Sequence, residues 1–255
     1  YVCMPDDAVT LALTEIELGE GNNGQWKSVG LNIDGLESDG NSTGLCIPNA
    51  GGDPDTAYPD GDDGIDNSFG KNLLPLILGV APSWPEGVNA YLDEGRFNAM
   101  LKIHCLPPTG DAEGLTTKLF AGTELGSTPM YDGTDVWPVA PEILADPEDP
   151  ESSTLIFDNS SVIDAVFDSG DPETVILTIP IELNDETALL KLTLHSAKVI
   201  MTHSEDRKSE PGGVISGVLN TEEAIDQVKK VAYLAGLCDE EFYDKYEYRE
   251  ATLDG

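Results

Sequence analysis

The sequence predicts a mainly β chain, an antiparallel two-sheet sandwich of jelly-roll-like kind with a few peripheral helices. Three observations predict it. Apolar and polar residues alternate through several strand-length runs, Gly-, Asn-, Asp- and Pro-rich turns separate those runs, and helical periodicity is confined to two regions. No internal repeat is evident, which disfavours solenoids and propellers.

The first alternating run is "AVTLALTEIEL", from Ala8 to Leu18, and "GEGNNG" turns it. "QWKSVGLNIDGL" reads as a second extended piece that ends in a polar loop. Further strands are expected in "RFNAMLKIHCL" (Arg96 to Leu106), "TTKLFAGTEL", "STLIFDNSSVIDAVFD", "ETVILTIPIEL" and "TALLKLTLHSAKVIMTHSE". The acidic "DPEDPESS", Asp146 to Ser153, reads as a surface loop inside one sheet system, because the runs on its two sides are alike. The whole chain, 1–255, is therefore expected to form a single β-rich domain.

A helical insert is expected at about 67–95, with Leu73, Leu76, Ile77 and Val80 at helical spacing and a second short helix starting near Pro85. A C-terminal helix is expected at about 221–236. Asn220 can cap it, Glu223 stands three residues on, Ile225, Val228, Val231 and Leu234 form its apolar stripe, and Gly236 ends it.

The charge balance is the unusual feature. The chain has 48 Asp and Glu against 13 Lys and Arg, a formal net charge of -35. That much like charge opposes compaction and argues against nucleic acid or an anionic lipid surface as a partner. Bound cations or a saline exterior would relieve it. No apolar run is long enough for a membrane span, and "LLPLILGVA" is interrupted by Pro75. Cys3, Cys46, Cys105 and Cys238 lie far apart without a CxxC, which suits two disulfides in an exported protein with three pairings open. Cys3 as a lipidated residue is an alternative. The opening "YVCMPDD" has no basic or apolar leader character, so a signal peptide is expected to have been removed before it or left out.

Two acidic stretches carry the candidate site. "YPDGDDGIDN", residues 58–67, places Asp60 and Asp62 two apart, with Asp66 and Asn67 beyond Gly64. Upstream, "GLNIDGLESDG" places Asn32 and Asp34 two apart, then Glu37 and Asp39. Residues two apart in a curled loop can point inward together, glycine permits the curl, and calcium asks for six to eight such oxygens. The spacing is not that of an EF-hand, and DG is a common turn dipeptide, so paired acidic turns are the bland alternative. The polar region 37–66 is too long to order easily without metal or a disulfide through Cys46. Scarce and scattered His and Cys favour calcium over transition metals. The expected calcium-loop region is about 29–70, and the expected ligands are Asn32, Asp34, Glu37, Asp39, Asp60, Asp62, Asp66 and Asn67.

"VGLNIDG", then Cys46, then "DGDDGIDNSFGKNLLPLI", resembles a pattern in uncharacterised exported calcium-loop proteins of myxobacteria and related deltaproteobacteria. "LHSAKVIMTHSEDRKSEPGGVISGVLNTEEAIDQV" followed by a cysteine resembles their C-terminal region, and together the two cover about half of the chain. The matching positions are Asn32, Asp34, Gly35, Cys46, Asp60, Gly61, Gly64, Asp66 and Asn67. The resemblance implies an exported, β-rich protein and brings no established activity.

Catalytic signatures are weak. "GNSTG" around Ser42 matches G-x-S-x-G by letter, but a nucleophile elbow needs a strand before and a helix after, and both flanks are polar loop. "GVISG" around Ser216 reads as a turn opening a strand. His104, His195 and His203 lie in separate strand-like runs with no HExxH. Paired carboxylates could serve a glycosidase, but no pair stands out among 48. Trp26, Trp84 and Trp137 lie in or near turns, where core anchoring competes with sugar stacking. The expected function is an exported, calcium-stabilised structural or binding protein of the cell surface. Its partners would be calcium and either itself, as a layer or filament, or an extracellular glycan. The alternative is a calcium-dependent extracellular hydrolase acting on glycans.

Overall fold

A computed structural model describes residues 3–4, 7–19, 24–42, 59–171, 173–184 and 186–237. Cys46 and Cys238 lie outside the described residues.

The architecture is mainly β and antiparallel, with few helices, as the alternation predicts. The strands are β1 (Ala8–Ala12), β2 (Asn98–His104), β3 (Ala112–Gly122), β4 (Leu155–Ile163), β5 (Val166–Asp168), β6 (Glu173–Leu183), β7 (Glu186–Thr202) and β8 (Gly213–Leu219). They join one hydrogen-bonded sheet in the order β1-β2-β3-β4-β5-β7-β6, with β8 also paired to β7. No second sheet is drawn among the described residues. β1 pairs with β2 from Ala8↔His104 to Ala12↔Met100. β2 pairs with β3 without a slip, from Asn98↔Gly122 to His104↔Thr116. The β3–β4 ladder shifts register around Leu115. Asp164 and Ala165 turn β4 into β5 with φ of 50° and 64°, the paired positive values of a tight hairpin.

The run "QWKSVGLNIDGL" is not a strand. Gln25–Lys27 is a single 3-10 turn entered from Gly24 in the left-handed region, and the chain then bends through Gly30 at φ 138°. Val29, Leu31 and Ile33 alternate in sequence, but the glycines between and before them break the extended geometry.

The helical insert begins as a π-helical turn, Phe69–Leu73, and continues as α1, Leu74–Leu78. Leu73, Leu74 and Ile77 are buried, while Leu76 is 61% exposed, so the apolar face is rotated from the predicted one. The added backbone residue of the π turn shifts the phase. α2, Trp84–Asp93, begins beside Pro85 as expected. α3, Thr221–Leu234, is capped by Asn220, whose side chain accepts the N–H groups of Glu222 and Glu223. It buries Ala224 and Val231, with Ile225 only half-buried. Gly236 ends it at φ 72°, donating to Tyr233 O while Leu237 N donates to Ala232 O, a Schellman closure.

Two compact units are distinguishable. One contains Tyr1–Ile16, Val88–Val175 and His195–Ile215. Its core includes Met100, Ile103, Phe120, Phe157, Val162 and Phe167. The other contains Glu17–Gly87, Ile176–Leu194 and Ser216–Gly255. Its core includes Leu74, Ile77, Trp84, Ile181, Leu190 and Val231, and the Trp84 indole donates to Pro180 O at 2.8 Å. Among the described residues, no helix is long and apolar enough to cross a membrane.

Candidate functional site

The two acidic stretches come together within the second unit. Asp66 N donates to Leu31 O at 2.9 Å and Asp60 N to Ser38 O at 3.0 Å, so the segments run beside each other. The carboxylates reinforce this. Asp66 Oδ2 accepts Ile33 N at 2.6 Å and Asp34 N at 3.2 Å, and Asp60 Oδ2 accepts Ser38 N at 2.5 Å.

The other predicted residues divide clearly. Asn32 bridges the loop, donating to Leu36 O at 2.8 Å and accepting Gly35 N at 2.7 Å. Asp34 Oδ1 accepts Leu36 N within its own turn, and Asp39 Oδ1 accepts Asn41 N in the next one. Asn67 donates to Val29 O and accepts Gly70 N, both at 2.7 Å, and so ties the upstream loop to the π turn. Glu37 and Asp62 are exposed and take none of these bonds. Gly64, at φ 80°, is where the chain passes against Asn32 and Leu36 O.

Burial raises the Asp66 carboxyl above its ordinary value, the Ile33 and Asp34 N–H groups lower it, and the charges of Asp34 and Asp60 raise it further. Asp66 is thus a carboxylate whose charge is opposed first by burial and only then by its two acidic neighbours. A cation of the chain's own stands nearby. Lys71 donates to Pro59 O at 2.8 Å and lies over the Trp26 ring at 5.1 Å. Burial lowers its ammonium, Asp60 opposes that, and Lys27 adds to it. Trp26 is half-buried with Lys27 and Lys71 over its ring, and Trp84 is buried, so Trp84 offers no open face for a sugar.

Among the described residues, no three His, Cys, Asp or Glu side chains converge closely enough to hold a metal ion. Backbone N–H groups take one oxygen each of Asp34, Asp60 and Asp66, leaving the second oxygen of each outside these bonds. Ser42 shows no nucleophile geometry: its hydroxyl accepts Asp39 N and donates to Asp39 Oδ1 inside a polar turn.

The other unit holds a buried polar group that periodicity does not reveal. His203 closes β7 and contacts Glu210 through Nδ1 and Oε1, with side chains 0% and 11% exposed. Phe167 meets the imidazole edge-on at 6.1 Å. Arg207, also buried, donates to Pro107 O and Gly110 O. These residues plug the 203–212 loop onto its unit. The only signal in the sequence is a run of charges, "HSEDRKSE", that begins where the alternation of the β7 run ends. Cys3 and Cys105 form a disulfide, Cα–Cα 5.1 Å, and Cys105 N donates to Asp7 O as the next rung beyond Ala8↔His104.

No family model matches the chain, and neither a curated protein nor a solved structure matches it.

Proposed function

We propose that this chain is an exported structural or binding protein of the cell surface, stabilised by calcium at the junction of residues 29–42 with 59–67, and able to assemble with itself into a layer or filament. The observation that carries the reading is the joining of the two acidic loops through carboxylates, Asp66 to Ile33 N and Asp34 N and Asp60 to Ser38 N, with the half-buried Asp66 raised chiefly by burial. A half-buried carboxylate at the join of two acidic loops is a cost that a hard cation offsets. Calcium would begin at the second oxygen of Asp66, supplemented by backbone carbonyls and water, with Asp34 and Asp60 drawn in only as it binds. The charge of -35 favours the same partner, and cations bridging acidic faces would join copies. The Cys3–Cys105 bond suits an oxidising compartment, in line with the resemblance to exported proteins.

Metal analysis of the purified protein, with melting in calcium, in chelator and in potassium chloride at matched ionic strength, tests it. Calcium at a hundredfold its Kd should add about 2.7 kcal/mol of stability. Sedimentation in the same three buffers reads assembly. If calcium and potassium act alike, Lys71 and the backbone N–H groups close the junction unaided and the reading fails.

A further inference from the structure

The lysines of the β2–β3 ladder form an arrangement that stands apart from the acidic loops. Lys102 and Lys118 are direct cross-strand partners in an unslipped antiparallel register. Like charges placed opposite each other in a sheet are destabilising. His104, paired with Thr116, comes two residues further along the same face, about 7 Å away by strand rise. Three basic side chains thus line one short patch in a chain with only 13 Lys and Arg.

One residue answers them. Glu151, from the 146–153 loop, sets its carboxylate 2.6 Å from Lys102 Nζ and its carbonyl 2.7 Å from Lys118 Nζ. Among the described residues, no carboxylate pairs with Lys118, although the chain has 48 to spend. His104 Nε2 is buried and meets no hydrogen-bond partner there. If the patch only fastened the loop, a second acid opposite Lys118 would fasten it better. Glu151 is also a poor permanent clasp, since its side chain is 53% exposed and such pairs are weak.

We propose that Lys102, His104 and Lys118 form a binding site for a small oxyanion, a carboxylate or sulfate, whose place Glu151 takes when the site is free. Glu151 itself shows that a carboxylate fits against Lys102. The net charge selects size: a polyanion is repelled by the whole chain, whereas a small ion responds to the two ammonium groups within a Debye length. His104 adds a pH dependence. Burial, then Lys118 and Lys102, hold its imidazole below the ordinary value, with Glu151 opposing. A bound anion offsets the two lysines, so protonation of His104 and anion binding favour each other. Affinity should therefore rise as pH falls through the histidine range. The site is independent of calcium.

Backbone amide NMR of the intact chain tests this, with sodium sulfate and sodium acetate titrated separately against sodium chloride at matched ionic strength. Saturable shifts at 102, 104, 118 and 151 are expected, and the stronger of the two salts identifies the anion type. Glu151→Gln removes the internal competitor and should tighten binding about three- to fivefold. Lys118→Met should abolish saturation, and His104→Asn should flatten the pH dependence. Unchanged or weaker binding in Glu151→Gln overturns the proposal, because a purely structural clasp loses stability there without gaining affinity. Saturable binding that survives Lys118→Met, or wild-type affinity indifferent to pH, overturns it as well.

Discussion

The Asp66 carboxylate accepts the backbone N–H of Ile33 at 2.6 Å across 33 positions of sequence. With the Asp34 N–H at 3.2 Å, that contact is the tie between the two acidic loops. Asp66→Ala should leave both N–H groups without their acceptor and cost about 1–3 kcal/mol, read from the urea midpoint. If calcium occupies the junction, the variant should also lose most of the calcium-dependent rise in Tm. Wild-type stability in the variant would show that the loops are held by Asn32 and Asn67 instead.

The pH response of Asp66 has a definite sign. Its folded-state value lies above the ordinary 3.8, so between those two values the folded chain binds the proton more tightly than the unfolded chain does. This group's contribution is therefore most favourable below 3.8 and is lost as pH rises through the raised value. Carboxyl NMR in chelator should find Asp66 titrating above 3.8, and calcium should move it down. Asp39, Asp132 and Asp206 have the opposite sign. Local N–H and hydroxyl groups lower them, so what they add is lost as pH falls through their depressed values.

Part of this was legible in the sequence, and the division follows interaction range. The Asn220 cap and Gly236 stop are local, so residue type and spacing suffice to place them. The meeting of 32–39 with 60–67 could be inferred from shared composition. Its bonding could not, because pairing Ser38 with Asp60 or Ile33 with Asp66 depends on a long connection returning at one register. The run after Trp26 was misread because apolar alternation is also produced by a bent loop whose residues turn toward different neighbours. The π turn was hidden for a similar reason. Gly70 passes close to Trp26 and Asn67, and no periodicity reports such a contact.

The Cys3–Cys105 bond closes a loop with a sequence separation of 102 and fastens β1, the five-residue strand at one end of the sheet order. Replacing both cysteines by serine should cost about 2–5 kcal/mol, and hydrogen exchange should rise first in β1. Non-reducing peptide mapping should recover this link. Two disulfides would then require Cys46 to pair with Cys238, both outside the described residues, and thiol labelling without reduction would find no reactive cysteine. Two labelled cysteines would leave Cys3–Cys105 as the lone bond.

Asn220 accepts two N–H groups of the first turn of α3, at 2.9 Å from Glu222 and 3.3 Å from Glu223. Asn220→Ala should cost about 1 kcal/mol, and Asn220→Asp should largely preserve stability because a carboxylate also caps and faces the positive end of the helix. Chemical denaturation of the two variants checks this. Equal loss in both would mean that the amide group of Asn220 is needed for something besides the cap.

Gly64 and Gly35 together separate backbone strain from loop contact. Both occupy the left-handed region, at φ 80° and 75°. A Cβ at Gly35 would meet nothing within 4 Å, whereas one at Gly64 would overlap Asn32 Nδ2 and Leu36 O. Gly35→Ala should therefore cost about 1 kcal/mol, the conformational penalty alone. Gly64→Ala adds the displacement of the Asn32 bridge and should cost about 2–4 kcal/mol. Because Asn32 also donates weakly to Asp63 O, at 3.4 Å, that displacement loosens a second tie between the two loops. Calcium should then stabilise Gly64→Ala less than Gly35→Ala. Equal costs in the two variants would mean that the chain relaxes around the added methyl, and that the close approach at Gly64 is not what holds the acidic loops together.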